Sequence, residues 1–254
     1  MLSNRLKMFG KLYTKDLHEV TVEILIVVIG VVLVTAGFLL NSDTPSPVYI
    51  FPLLLLLGLA GFLPLLSSFK LLYREWSQNT VYLIMSLPVS GAMMLGAKLA
   101  VLMTQYIIGT AMITLSAYLL YTTNLYQYFN AFLPQLGNYD LVHNLLNVYV
   151  AGLVFLLFLC CNSFFSQVTG RLSRRFSGLI TAATFIVTLI VSDSILDMIK
   201  NSNLTGDIKT AQIFGATGSF SANSVMSSSS LGYLLLAVVL FVLAAVIYDR
   251  KLEL

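Results

Sequence analysis

Charged residues are scarce in this sequence. Asp, Glu, Lys and Arg make up only 10% of its 254 residues, whereas an ordinary soluble domain carries about 25%. Apolar residues account for 58%, and the mean hydropathy is +0.89. A water-soluble fold of this length could not bury that much apolar surface. The deficit of charge therefore excludes a soluble domain and predicts an integral membrane protein.

The motifs of enzymes and metal sites are also missing. The two cysteines, Cys160 and Cys161, are adjacent in an apolar run with no CxxC or His/Cys cluster around them, which favours small lipid-facing or packing residues over redox or metal chemistry. The sequence contains no GxxxxGK[ST] phosphate loop, no HExxH and no Ser/His/Asp set. We therefore predict that this chain has no catalytic residues, metal site or cofactor of its own, and that it binds no nucleic acid.

Six apolar runs are long enough to cross a bilayer, for which a helix needs roughly 20 residues. They predict an all-α membrane protein with six transmembrane helices, in which residues 1–254 form a single domain. The predicted spans are 22–40, 48–69, 92–121, 145–165, 178–196 and 231–248.

Lysine and arginine predict the orientation of these spans, because both are enriched in cytoplasmic segments. With the N-terminus in the cytoplasm, twelve of the 14 lie on the inner side, and only Lys200 and Lys209 lie outside. The first apolar run is long enough to span and does not resemble a cleaved signal peptide. We expect a multi-pass protein of the plasma membrane with both termini in the cytoplasm.

Residues 1–20 predict an amphipathic helix that lies in the inner membrane interface. At 100° per residue, one side is apolar and the other carries polar and basic residues. The apolar side consists of Leu2, Leu6, Phe9, Tyr13, Leu17 and Val20, and the wet side of Asn4, Lys7, Lys11, Thr14, Lys15 and His18. Two interpretations remain open: an elbow that joins the first span to a partner, or a simple membrane anchor.

The segment 70–91 predicts a second, shorter amphipathic helix on the cytoplasmic side. Its apolar side holds Tyr73, Trp76, Thr80, Ile84 and Leu87, and its polar side Arg74, Glu75, Gln78, Asn79 and Ser86. Pro88 ends this helix, and Ser90 is placed to cap the third span. A helix in this position can transmit the movement of a soluble partner to the two adjoining spans, but a connector without that role would show the same pattern.

Two further features each allow two interpretations. The basic segment Arg171, Arg174 and Arg175 is either a second docking loop or a topology determinant held by anionic lipid. Ala92, Gly96 and Ala100 are small residues at a spacing of four, which lets helices approach closely, either in a dimer or within the chain.

One stretch of the sequence resembles the segment between spans two and three of ABC-2 type transporter permeases. Members of that family typically show a charged E-R-E-x-G-T run, then P-V-S, then G-K in the next span. Here Asn79 stands where glycine is usual, and Lys98 follows Gly96 with one extra residue between them. The matching residues are Glu75, Thr80, Pro88, Val89, Ser90 and Lys98.

The resemblance implies the permease subunit of an ATP-driven exporter, paired with a second copy of itself or a sister permease. ATP and Mg would be bound by separate ATP-binding cassette subunits, which dock on a coupling helix and on a second contact at Arg171, Arg174 and Arg175. Half-sized members are common in Gram-positive bacteria, and some are similar to systems for export of, or immunity against, amphipathic peptides. The coupling residues implied are Arg74, Glu75, Trp76, Thr80, Tyr82, Ser86, Pro88 and Ser90.

Two other classes of function remain as alternatives. An ion-coupled secondary transporter would be expected to carry intramembrane acids and broken helices near the midplane, and neither is evident in the sequence. A membrane scaffold or sensor that does not transport would use the segment 70–91 only for docking.

Overall fold

A computed structural model of the chain describes residues 2–40, 50–77, 90–120, 141–172, 176–201 and 229–251. Within these residues, six helices are long and apolar enough to cross a membrane, and no strand occurs. The prediction of an all-α protein with six spans is therefore confirmed. The helices are α1 Leu2–Leu40, α2 Ile50–Ser77, α3 Gly91–Leu120, α4 Leu141–Gly170, α5 Ser177–Asn201 and α6 Ser229–Lys251.

Helix α2 extends well beyond its predicted end at residue 69. Residues 70–77 form its last two turns and are not part of a separate short helix. No glycine or proline interrupts this stretch, and the side chains of Leu71 and Leu72 are fully buried, so the helix continues as long as its apolar face is covered. Residues 78–89, which complete the predicted coupling helix, lie outside the described residues.

Helix α1 joins the two elements that the sequence separated. The predicted interfacial helix 1–20 and the span 22–40 form one unbroken helix of 39 residues, about 58 Å long at 1.5 Å per residue. Beyond Gly10 there is neither glycine nor proline before Gly30, so nothing favours a break between them.

The two faces of the N-terminal part of α1 largely follow the prediction. Lys7, Lys11, Lys15 and His18 are exposed, whereas Val20 is buried and Phe9, Tyr13 and Leu17 are half-buried. Leu6 is the exception, because it is exposed. The inward face meets α3, where the hydroxyls of Tyr13 and Thr104 lie 3.0 Å apart.

The chain divides into two compact units. The first comprises Met1–Ser67 and Ala100–Tyr139. Its core holds Val27 and Val31 of α1, Leu56 and Ala60 of α2, and Ile113 of α3. Gly109 lets α3 approach α2 closely, since a Cβ at that position would lie 3.2 Å from that of Ala60.

The second unit comprises Ser68–Leu99 and Asp140–Leu254. Helix α4 packs most extensively against α6 and also against α5. Its core centres on Phe158 and Cys161 of α4 and on Ala237 and Leu240 of α6. Both cysteines are buried free thiols, as expected for packing residues.

Large apolar side chains remain exposed along the outer helices. On α5, Leu179, Ile186 and Ile190 are each more than half exposed, and they lie on one face because their spacing is seven and four residues. Leu33 of α1 and Leu235 of α6 are exposed to a similar degree. Surface of this kind requires a lipid environment, which agrees with a multi-pass membrane protein.

Candidate functional site at the helix ends of the second unit

An ion pair joins the last turn of α2 to the beginning of α3. The ammonium of Lys98 donates a hydrogen bond of 2.7 Å to Oε1 of Glu75. Both side chains are almost fully buried, with relative exposures of 1% and 4%. Helix side chains tilt toward the N-terminus, so Lys98, seven residues after the start of α3, reaches back toward the end of α2.

The beginning of α3 is held by the end of α6. Oδ1 of Asp249 accepts a hydrogen bond of 2.6 Å from the backbone N–H of Gly91. A carboxylate suits this position, because the first N–H groups of a helix lack intrahelical partners and carry partial positive charge. Ser90 precedes α3, and its carbonyl accepts the first helical hydrogen bonds, from the N–H groups of Met93 and Met94.

The close approach of α6 requires a glycine at position 91. A Cβ there would lie 2.7 Å from both Oδ1 of Asp249 and Cδ1 of Tyr248. The Tyr248 hydroxyl also donates to the sulfur of Met94 at 3.0 Å. The start of α3 is therefore tied to two neighbouring residues of α6.

Helix α4 contributes polar contacts to the same end of α2. The amide nitrogen Nε2 of Gln167 donates to the carbonyl of Ser68 on α2 and to the hydroxyl of Ser163 within α4, both at 3.2 Å. The hydroxyls of Ser68 and Ser163 are themselves 2.6 Å apart. Neutral interhelical hydrogen bonds of this kind stabilise helix packing where water is excluded.

Helix α5 is joined to α4 through a buried amide. Asn162 is fully buried, and its Nδ2 donates to the carbonyl of Phe185 at 3.3 Å. Its Oδ1 accepts a short hydrogen bond from the hydroxyl of Thr188. Toward the end of α4, Thr184 donates to the carbonyl of Ser166 at 3.4 Å. A row of polar contacts thus links α4 and α5 along several turns.

The two predicted contact segments meet at Arg171. Its guanidinium lies over the Trp76 ring, 4.8 Å from the centroid, and 5.9 Å from the centroid of the Tyr73 ring. Tyr73 and Trp76 belong to the apolar side of the predicted coupling helix, and Arg171 to the predicted second contact. The structure therefore brings part of each segment together.

The remaining predicted site residues have different positions. Arg74 and Ser90 are exposed, and Ala92 is exposed as well. Gly96 faces Phe241 of α6, whose ring would lie 3.9 Å from a Cβ at that position, and Ala100 is half-buried. The predicted residues that lie outside the described part of the chain are Thr80, Tyr82, Ser86, Pro88, Arg174 and Arg175.

The position of Glu75 corrects one expectation. The helical projection placed Glu75 beside Arg74 on a polar face toward the cytoplasm, but its carboxylate is buried against Lys98. The projection treated 70–91 as one isolated helix. In the second unit, however, the end of α2 has neighbours, and Glu75 faces α3 while Arg74 remains exposed.

Sequence reasoning missed Asp249, Tyr248 and the polar residues of α4 as parts of this site. Asp249 stands near the C-terminus of the last apolar run, where a charge suggests only the end of a span. Asn162 and Gln167 were separate polar residues in apolar surroundings, and such residues are a recognisable sign of interhelical hydrogen bonding. In the described residues, no group of three His, Cys, Asp or Glu side chains is arranged to hold a metal.

No protein-family model matches this sequence, and neither a curated protein nor a solved structure was found to match it. The resemblance to ABC-2 permeases therefore depends on the motif residues themselves. Two of those residues, Glu75 and Lys98, are 23 positions apart in the chain and are hydrogen-bonded to each other.

Proposed function

We propose that this chain is the permease subunit of an ATP-driven exporter in the plasma membrane, with ATP and Mg bound by a separate ATP-binding cassette subunit. The observation that carries the proposal is the buried Glu75–Lys98 ion pair, which joins two residues of the ABC-2-like motif. The permease acts with a second copy of itself or with a sister permease.

The ion pair supports a coupling role for residues 78–89, which connect α2 to α3. On one side of this segment Glu75 is bonded to Lys98, and on the other Gly91 is bonded to Asp249. A force applied to the segment by an ATPase would therefore act on α2, α3 and α6 together. A connector without such bonds at its ends would change only its own conformation under the same force and would not move the helices.

The buried polar residues suit an amphipathic or hydrophobic cargo, such as a peptide, a drug or a lipid-like molecule. Apart from Asp16 and the Glu75–Lys98 pair, the buried polar side chains of the described residues are amides and hydroxyls, including Gln105, Asn147 and Asn162. Neutral groups of this kind impose no charge requirement on a substrate that enters from the membrane.

Co-purification with the ATP-binding subunit encoded beside this chain tests the proposal. Arg74 is exposed in the last turn of α2, next to the segment that would dock. We expect wild-type permease to retain the ATPase in mild detergent, and Arg74→Glu to reduce the retained amount at least several-fold, because a reversed charge opposes docking. Lys11→Glu is the matched control, since Lys11 is an equally exposed cation on α1, and it should retain the ATPase.

The outcomes separate this proposal from its alternatives. Failure of any nucleotide-binding protein to associate with the wild type, combined with uptake in liposomes driven by an ion gradient, would assign the chain to the secondary transporters. Association without ATP-dependent movement of an amphipathic peptide would instead indicate a scaffold or sensor. Equal retention by Arg74→Glu and wild type would remove the end of α2 from the docking surface.

A further inference from the structure

A cavity of about 740 Å³ opens between the end of α2, the end of α4 and the beginning of α5, entirely within the second unit. Phe69, Tyr73 and Trp76 form its aromatic wall, and Gln167, Ser177 and Thr181 supply polar groups. The Glu75–Lys98 pair is not among its lining residues. The cavity therefore excludes the ion pair, although it shares Trp76 and Arg171 with the two predicted contact segments.

The charge of the cavity wall is positive. Within the described part of the chain, Lys70 and Arg171 line the cavity and no carboxylate does. Both cations are exposed. This wall would attract an anion and would disfavour a cation or a neutral apolar molecule.

Arg171 lies against the aromatic wall of the cavity. Its guanidinium carbon is over the Trp76 ring, 4.8 Å from the centroid. The N–H donors of a guanidinium point outward in its plane and match two phosphate oxygens. The cation–π contact thus holds Arg171 at the cavity wall.

The start of α5 adds further donors. Its first helical hydrogen bond runs from the N–H of Ile180 to the carbonyl of Phe176, so the N–H groups of residues 177–179 precede the helical ladder. Such groups favour anions, and phosphate in particular. Here they accompany two cationic side chains and an open cavity rather than acting alone.

The position of the cavity along the spans points to the source of the phosphate. The cavity lies where the candidate spans of α2 and α4 end and that of α5 begins, and the ends of spans are expected near the lipid headgroups. Tyrosine and tryptophan favour the same level. Beside it, Phe176 and Leu179 are 60% and 70% exposed, and the exposed apolar face of α5 continues through Ile186 and Ile190 toward the bilayer centre.

We propose that this cavity binds the phosphate group of an anionic membrane phospholipid, whose acyl chains lie along the exposed apolar face of α5. Lys70, Arg171 and the beginning of α5 hold the phosphate, and Tyr73 and Trp76 flank the glycerol region. The lipid joins α2, α4 and α5 at their common end. This site does not depend on the proposed transport function.

Tryptophan fluorescence provides a direct test, because Trp76 is the only tryptophan in the chain and lines the cavity. The full-length protein in detergent is titrated with short-chain phosphatidylglycerol, with phosphatidylcholine of the same chain length, and with glycerol 3-phosphate. We expect a saturable emission change with phosphatidylglycerol, at least tenfold higher concentrations for phosphatidylcholine, and a much weaker response to glycerol 3-phosphate.

Two variants alter the cavity in different ways. Arg171→Gln removes one cation, and Gly178→Leu fills open space, since a Cβ at Gly178 meets no atom within 4 Å. Each should raise the midpoint of the phosphatidylglycerol titration at least five-fold. Lys11→Gln removes an exposed cation elsewhere and should leave the midpoint within two-fold. Native mass spectrometry of bound lipid supplies a second readout that does not depend on the Trp76 environment.

Three results would overturn the proposal. Equal responses to phosphatidylcholine and phosphatidylglycerol would show that charge plays no part. A full response to glycerol 3-phosphate at the lipid's concentration would assign the cavity to soluble phosphate esters. An unchanged midpoint in both cavity variants, with each variant retaining wild-type circular dichroism and elution volume, would place lipid binding elsewhere.

Discussion

Lys98 and Glu75 are each costly to bury, and their contact offsets that cost. Removing one charge from water costs several kcal/mol, and a hydrogen-bonded partner of opposite sign at 2.7 Å recovers much of it. The pair as a whole therefore contributes little net stability compared with an apolar pair. Loss of only one member should lower stability, because the other charge then remains in the protein interior without this partner.

This asymmetry predicts the behaviour of variants at the pair. Lys98→Met should reduce the free energy of unfolding by about 3–5 kcal/mol, since the Glu75 carboxylate loses its counter-charge. The double variant Glu75→Gln, Lys98→Met should recover a large part of the loss. Thermal or denaturant unfolding in detergent, followed by circular dichroism, measures all members of the cycle.

The control for this prediction is Lys7→Met, which replaces an exposed lysine and should change stability by less than about 0.5 kcal/mol. Additive effects of the two single substitutions, within about 0.5 kcal/mol, would contradict a direct interaction between Glu75 and Lys98.

The beginning of α3 has a strict steric requirement. It is covered by Tyr248 and Asp249 of α6, and there is no room for a Cβ at Gly91. By contrast, the beginning of α5 leaves open space around Gly178. Two glycines in the first turns of two helices thus have opposite surroundings.

The opposite surroundings predict opposite effects of alanine. Gly91→Ala should cost about 1–3 kcal/mol, because the new methyl group displaces Tyr248 or Asp249 and weakens the hydrogen bond to the helix start. Gly178→Ala should be neutral or should stabilise by about 0.5 kcal/mol through helix propensity. Unfolding midpoints of the two purified variants, measured side by side, check the difference. A Gly91→Ala variant as stable as Gly178→Ala would mean that α6 does not press on α3.

Across the whole molecule, the exposed apolar surface and the distribution of lysine and arginine both fit a chain that spans a membrane in one orientation. The helices present apolar side chains outward, and nearly all cations cluster at segments that the sequence assigns to one side. The positive-inside tendency orients such a chain with its basic segments in the cytoplasm. Both termini are then expected on that side.

Cysteine labelling tests this orientation. Cys160 and Cys161 are 0% and 1% exposed, so they should give little background with a membrane-impermeant maleimide. Lys11→Cys should react only after the cells are permeabilised. Met198 is 74% exposed near the C-terminal end of α5, so Met198→Cys should react in intact cells. The reverse pattern would invert the proposed topology, and labelling of both sites in intact cells would refute the predicted separation of these positions by the membrane.

Sequence reasoning succeeded best for the spans. Hydropathy located α3 within one residue at each end, because a long apolar run ending in polar residues fixes a span by its own composition. It was less successful for α2, whose last two turns contain Lys70, Arg74 and Glu75 and were predicted to belong to a separate short helix. A charged residue in a sequence does not show whether it faces water or a partner.

The sequence by itself determined the number of spans, the membrane environment and the face of α1 that turns inward, since these depend on periodic apolar burial along one chain segment. Only the tertiary structure decided that Glu75 meets Lys98, that Asp249 caps α3 and that Arg171 stacks on Trp76. These contacts join residues from 23 to 158 positions apart. Six apolar helices of similar composition can pack in many ways, and the choice depends on the shape and polar groups of all their faces together.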